Sequence, residues 1–134
     1  MIKKLEHIGI AVRSLDEALP VWRALGLEEA GREEVAGQKV RTAFLPAGEP
    51  SIELMEPTAD DSPIAGFLAR RGPGIHHLCF AVDDIEKMLD ELARAGYRLV
   101  HRAPVPGARG KKVAFLHPEA GHGVLIELSQ EDEP

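Results

Sequence analysis

The chain has 134 residues, of which 44% are hydrophobic and 28% charged, and its formal net charge is −6. That length suits one domain or two small halves sharing an interface, and the acidic balance argues against nucleic acid as a partner. No apolar run approaches the roughly 20 residues that cross a bilayer, and "MIKK" leads straight into a strand pattern with no signal-peptide core. A cytoplasmic protein with no membrane partner is therefore expected. Cys79 is the single cysteine, which excludes an internal disulfide and a cysteine-based zinc cluster. Any metal must be held by His, Asp, Glu or Gln.

The first predicted strand is "LEHIGIAV", residues 5–12. Its third residue is His7, and "IHHLCFAV", residues 75–82, places His77 at the same position. After the first strand, Ser14 can cap a helix with Glu17 three residues on; after the second, Asp83 and Glu86 stand in the same relation. Apolar residues then recur at helical spacing: Leu15, Ala18, Leu19, Trp22 and Leu25 in the first helix, Ile85, Met88, Leu89 and Leu92 in the second. Gly26 and Gly96 stand where a left-handed residue closes a helix. Pro20, inside the first helix, removes a backbone donor and is expected to loosen or kink that turn.

Two hairpin-like regions follow, "KVRTAFLPAGEPSIELMEP" and "KKVAFLHPEAGHGVLIELSQ". In each, a strand carrying "AFL" enters a Pro/Gly turn and returns as a strand ending "IEL", so Glu53 and Glu127 are equivalents. Each half reads strand, helix, strand, strand, strand. The expected organisation is one module over about 3–57, a linker over about 58–74 with a short helix near Ile64 to Arg70, and a second module over about 75–130. The acidic end "SQEDEP" is read as a solvated terminus.

Strand alternation puts His7, Gly9 and Ala11 on one face and Ile8, Ile10 and Val12 on the other. The same parity sets Glu53 apart from Ile52 and Leu54, and places Cys79 and Ala81 beside His77. Each half thus offers one His and one Glu on a face of otherwise small residues. A lone strand histidine is usually a structural residue, but that reading must here explain two His and two Glu at repeated positions. If an approximate two-fold axis relates the halves, His7, Glu53, His77 and Glu127 converge as a donor set for a divalent first-row metal. Among the other histidines, His101 and His122 read as surface residues and His76 as helix-facing or exposed. His117, in "FLHP", reads equally as a cleft residue or a turn cap.

The strings "HIGIAV", "DSPIAGFL", "GIHHLCF", "KVAFLHP" and "GVLIEL" resemble the methylmalonyl-CoA epimerase family of the vicinal oxygen chelate, or glyoxalase-like, superfamily. The resemblance implies an α+β fold in which two tandem βαβββ modules form a curved mixed sheet around a central metal cleft. It implies His7, Glu53, His77 and Glu127 as ligands of one divalent ion per chain, with Co²⁺ foremost and Mn²⁺, Ni²⁺, Zn²⁺ or Mg²⁺ as alternatives. The activity implied is interconversion of (2R)- and (2S)-methylmalonyl-CoA by α-proton abstraction and return through a metal-stabilised enolate, in a homodimer. Glu127 and Glu53 are the expected acid–base residues, and Thr42, Lys112, Phe115 and His117 the expected substrate contacts. Thr42 is a departure, since some family members carry a glutamate there. The competing readings are a glyoxalase-type isomerase acting on a glutathione hemithioacetal and a metal-free protein of the same fold that sequesters a small molecule. The second would favour a cleft rich in Trp and Tyr, of which this chain has one each.

Overall fold

The computed structural model of the chain describes residues 1–131. In chain order the elements are β1 (Ile2–Ala11), α1 (Leu15–Ala24), β2 (Gly31–Val35), β3 (Val40–Pro46), β4 (Ser51–Pro57), α2 (Pro63–Arg71), β5 (Gly74–Val82), α3 (Ile85–Arg94), β6 (Val105–Pro106), β7 (Lys112–Phe115) and β8 (Ile126–Gln130). The class is α+β, and strand, helix, strand, strand, strand occurs twice. The chain divides into two compact units, His7–His76 and a second made of Met1–Glu6 with the residues from His77 onward. The first residues of β1 thus go with the later half: the Asp83 N–H donates to the Met1 carbonyl at 3.3 Å, and Lys111 Nζ lies 2.7 Å from a Glu6 carboxylate oxygen.

In the first unit the strand order is β2-β3-β4-β1. β1 runs parallel to β4 with Gly9 beside Glu53, and β3 runs antiparallel to β4 with Phe44 beside Glu53, so the sheet is mixed. One face is covered by α1, whose Leu15 and Leu19 pack on Ala43, Leu45 and Leu54 with Ile10 and Ile52. Onto the other face α2 brings Ile64, Phe67 and Leu68 against Ala11, Val40 and Met55. α1 starts as expected, with the Ser14 hydroxyl accepting the Glu17 N–H at 3.2 Å, and ends at Gly26 with φ +97°. Pro20 does not interrupt it. Tertiary burial of Leu15 and Leu19 outweighs the one backbone bond a proline removes.

The second unit repeats this plan with order β5-β8-β7-β6. β5 is parallel to β8 with Cys79 beside Glu127, and β7 is antiparallel to β8 with Phe115 beside Glu127. The repeat therefore extends to register: Gly9 and Phe44 flank Glu53 as Cys79 and Phe115 flank Glu127. α3 sets Ile85 and Leu89 against Val82, Ala114, Leu116 and Leu128.

Three local expectations change. The α3 cap is Asp84, which accepts the Lys87 N–H at 3.1 Å, one residue later than expected. Asp83 instead meets the N-terminal ammonium at 2.6 Å, which holds its carboxyl below its ordinary range. The acidic end is not wholly a loose terminus either, since Ser129 and Gln130 belong to β8 and Gln130 Oε1 accepts the Ile85 N–H at 2.8 Å. The last part of that acidic end, residues 132–134, lies outside the described residues. Finally, the second half's counterpart of β2 is reduced to the two residues of β6, flanked by an isolated bridge between Leu99 and Leu116. Pro104 and Pro106 cannot donate to a ladder, which limits pairing there.

Candidate metal centre

Each unit holds a buried His–Glu pair on the face turned away from its first helix. In the first, His7 Nδ1 lies 3.0 Å from Glu53 Oε2; in the second, His77 Nε2 lies 2.9 Å from Glu127 Oε1. All four residues are only 4–7% exposed. An ionised carboxylate buried to that extent is costly unless a donor or a cation compensates it. The pairs are brought together by the sheet itself: parallel β1 and β4 carry the first, parallel β5 and β8 the second.

The donor set fits a divalent metal. Imidazole nitrogen and carboxylate oxygen bind such ions at about 2.0–2.2 Å, so two ligands at neighbouring corners of an octahedron stand about 3 Å apart. The spacing within each pair meets that requirement without movement. Small neighbours, Gly9 and Ala11 on β1 and Cys79 and Ala81 on β5, leave the carboxylates open on one side, as their parity predicts, while Phe44 and Phe115 flank them on the other.

Thr42 is buried on β3, opposite Met55 and on the face that carries Glu53. Phe115 shares a face with Glu127 and sets its ring edge-on to His77, centroids 5.5 Å apart at 81°. Beyond Glu127 on the same face of β8, Ser129 borders a cavity of about 330 Å³ that Lys3, Lys4 and Lys111 also line.

One expected substrate contact is placed elsewhere, and another closes a turn. Lys112 falls on the helix side of β7, where its ammonium lies 3.4 Å from a Glu86 oxygen on α3. The register explains this, because Phe115 faces with Glu127 and Lys112 is three residues away, on the opposite parity. The more buried lysine of that segment is Lys111, paired with Glu6. His117 uses Nδ1 to accept the Glu119 N–H at 3.1 Å, closing the turn after β7. His76 packs against Phe67 of α2, ring centroids 5.1 Å apart.

His101 is no mere surface residue: its Nδ1 accepts the Phe115 N–H at 3.0 Å. Sequence reading missed it because no motif marks it. The available signal was the repeat, whose 70-residue offset between His7 and His77 lays His101 on Gly31, a strand residue paired with Phe44.

Residues 6–115 match the model of the Glyoxalase/Bleomycin resistance protein/Dioxygenase superfamily, and the chain belongs to it. Within that class several relatives are methylmalonyl-CoA epimerases, while one of similar identity, from Bacillus subtilis, is an uncharacterised protein. The chain is 41% identical to the ethylmalonyl-CoA/methylmalonyl-CoA epimerase of Cereibacter sphaeroides over 97% of its own length and 99% of that protein. A Streptomyces coelicolor methylmalonyl-CoA epimerase variant in complex with 2-nitronate-propionyl-CoA superposes with TM-score 0.94 at 33% identity, covering all of both chains. A methylmalonyl-CoA epimerase in complex with methylmalonyl-CoA and NH4+ gives TM-score 0.93 at 34% identity over 98% of this chain and 96% of that one. The resemblance first read from the sequence strings is thus to this group of isomerases. Among the described residues no helix is long and apolar enough to cross a membrane.

Proposed function

We propose that the chain interconverts the two C2 epimers of methylmalonyl-CoA, with His7, Glu53, His77 and Glu127 together holding one divalent metal ion. The observation that carries this reading is the repeated pair: a buried His and a buried Glu within 3.0 Å and 2.9 Å of one another, in equivalent register, once per half. Whole-length likeness to epimerases captured with acyl-CoA ligands supports the substrate. A bound divalent ion would supply positive charge against the negative charge that develops on the thioester oxygen as the C2 proton leaves.

The remaining steps belong to the chain's own side chains. Glu127 takes the C2 proton as carboxylate, the C–H electron pair moves toward the thioester carbonyl, and a proton returns to the opposite face of the flattened carbon. Glu53, which enters this direction of the reaction protonated, is the residue proposed to return it; the step leaves Glu53 as carboxylate and Glu127 protonated, and the reverse direction exchanges the two roles. With Thr42 where some relatives carry a glutamate, Glu53 is the buried carboxylate on that face of the first unit; the other, Glu33, is half-buried on β2 opposite Thr42. Phe115, beside Glu127 in register and edge-on to His77, gives that side of the site an apolar wall. The cavity bordered by Ser129, with Lys3, Lys4 and Lys111 on its wall, supports a place for an anionic part of the substrate.

A homodimer working in the cytoplasm, with Co²⁺ the first metal to try, completes the proposal. Proton NMR of the metal-loaded protein with methylmalonyl-CoA in deuterated water tests it. The expected result is loss of the C2 proton signal at catalytic protein concentration together with appearance of the second epimer. A C2 proton that persists for hours in the presence of protein and metal would overturn the reading.

A further inference from the structure

We propose that His101 is a positioning residue for His77, acting through Phe115; this rests on the reading of His77 as a ligand. In the first half, β2 and β3 pair from Gly31 against Phe44 to Val35 against Val40, so the sheet edge beside Phe44 is an ordinary ladder. The Ala30 N–H donates to the Phe44 carbonyl at 2.8 Å, and in the second half the Val100 N–H donates to the Phe115 carbonyl at 2.9 Å. There the two halves part. The His101 N–H also turns to the Phe115 carbonyl, at 3.2 Å, and the backbone leaves the ladder before rejoining it at Val105 opposite Val113. The Phe115 N–H points to this broken edge, where no strand carbonyl is paired with it.

His101 fills that place with its side chain: Nδ1 accepts the Phe115 N–H at 3.0 Å, and the two rings lie 5.9 Å apart at 48°. One residue thus grips both backbone polar groups of Phe115 and flanks its ring. Phe115 in turn stands edge-on to His77 and beside Glu127 in register. A ring fixed in this way limits rotation of the His77 imidazole, whose Nε2 meets Glu127. An accepting Nδ1 leaves the His101 proton on Nε2. Partners behind a metal ligand typically tune affinity by about 10–100-fold.

The test compares His101→Asn, whose Oδ1 falls near the position of Nδ1 and can accept the same bond, with His101→Leu, which cannot. Phe115→Leu, which keeps the backbone bond but removes the ring edge, is the third variant. Two quantities are read on the full chain: hydrogen exchange of the Phe115 amide without metal, and Co²⁺ affinity by calorimetry. H101L is expected to speed exchange at Phe115 and weaken Co²⁺ binding by about tenfold, H101N to stay within about threefold of the parent on both, and F115L to weaken binding while its amide stays protected. The proposal is overturned if H101L leaves both quantities unchanged, or if H101N falls as far as H101L. If H101L does not fold, H101N and F115L decide alone: F115L binding Co²⁺ as tightly as the parent overturns the relay. A parent chain that binds no divalent ion overturns the metal reading instead, and unchanged Phe115 exchange in H101L would separately sink the role of His101.

Discussion

Glu53 and Glu127 are carboxylates that water barely reaches, and their chemistry follows from the imidazole each one meets. Replacing Glu127 with Gln keeps the shape and removes the base. The expected outcome is loss of C2 deuterium exchange by at least about a hundredfold, in line with what a positioned acid–base group contributes, measured by NMR at saturating metal. Glu53→Gln is expected to slow inversion while leaving exchange of one epimer measurable. A surface pair gives a pH prediction. Lys39 holds the Asp61 carboxyl below its ordinary range, chiefly by a hydrogen bond. The contact therefore acts fully above the ordinary carboxylate pKa and disappears as pH falls through the lower folded value. Lys39→Asn, suited to the left-handed φ of +55° at that position, should raise the Asp61 midpoint toward the ordinary carboxylate range in a carbonyl-detected titration. At this scale the sequence was readable wherever parity decides orientation, as for His7 and Glu53. It was not readable for Lys112, because that needed the register of β7 against β8.

The elements show the same division between pattern and placement. The two helices, their glycine ends and the four Glu-bearing and His-bearing strands are periodic, and periodicity survives in a single sequence. The α3 cap is not, because Asp83 and Asp84 both have the right chemistry and only backbone geometry chooses between them. Asp84→Ala is expected to lower stability by about 1 kcal/mol, and Asp83→Ala by less, read from chemical denaturation. Leu89, fully enclosed beneath α3, carries more: Leu89→Ala should cost about 2–5 kcal/mol. The shortening of β6 was also hidden, since a broken ladder needs two prolines and a side chain able to replace a carbonyl, and the last of these is a matter of distance.

At the scale of the molecule, the doubled plan is what the sequence announces most clearly, in two histidines 70 residues apart and two "IEL" strings. The donor set makes a prediction of its own. Chelation should abolish exchange, and adding Co²⁺ or Mn²⁺ at about a hundred times its dissociation constant should restore it and stabilise the fold by about 2.7 kcal/mol, read as a rise in melting temperature over the chelated protein. The chain's backbone repeats, but its rings do not: His7 turns Nδ1 toward its glutamate and His77 turns Nε2. The substrates on either side of the proposed reaction are diastereomers, not mirror images, so neither the enzyme nor its cargo imposes a mirror plane on the energy profile. The barrier for removing the proton from one epimer then differs from that for the other. Kinetic isotope effects measured from the two starting compounds should be unequal, an asymmetry written into which nitrogen each histidine presents.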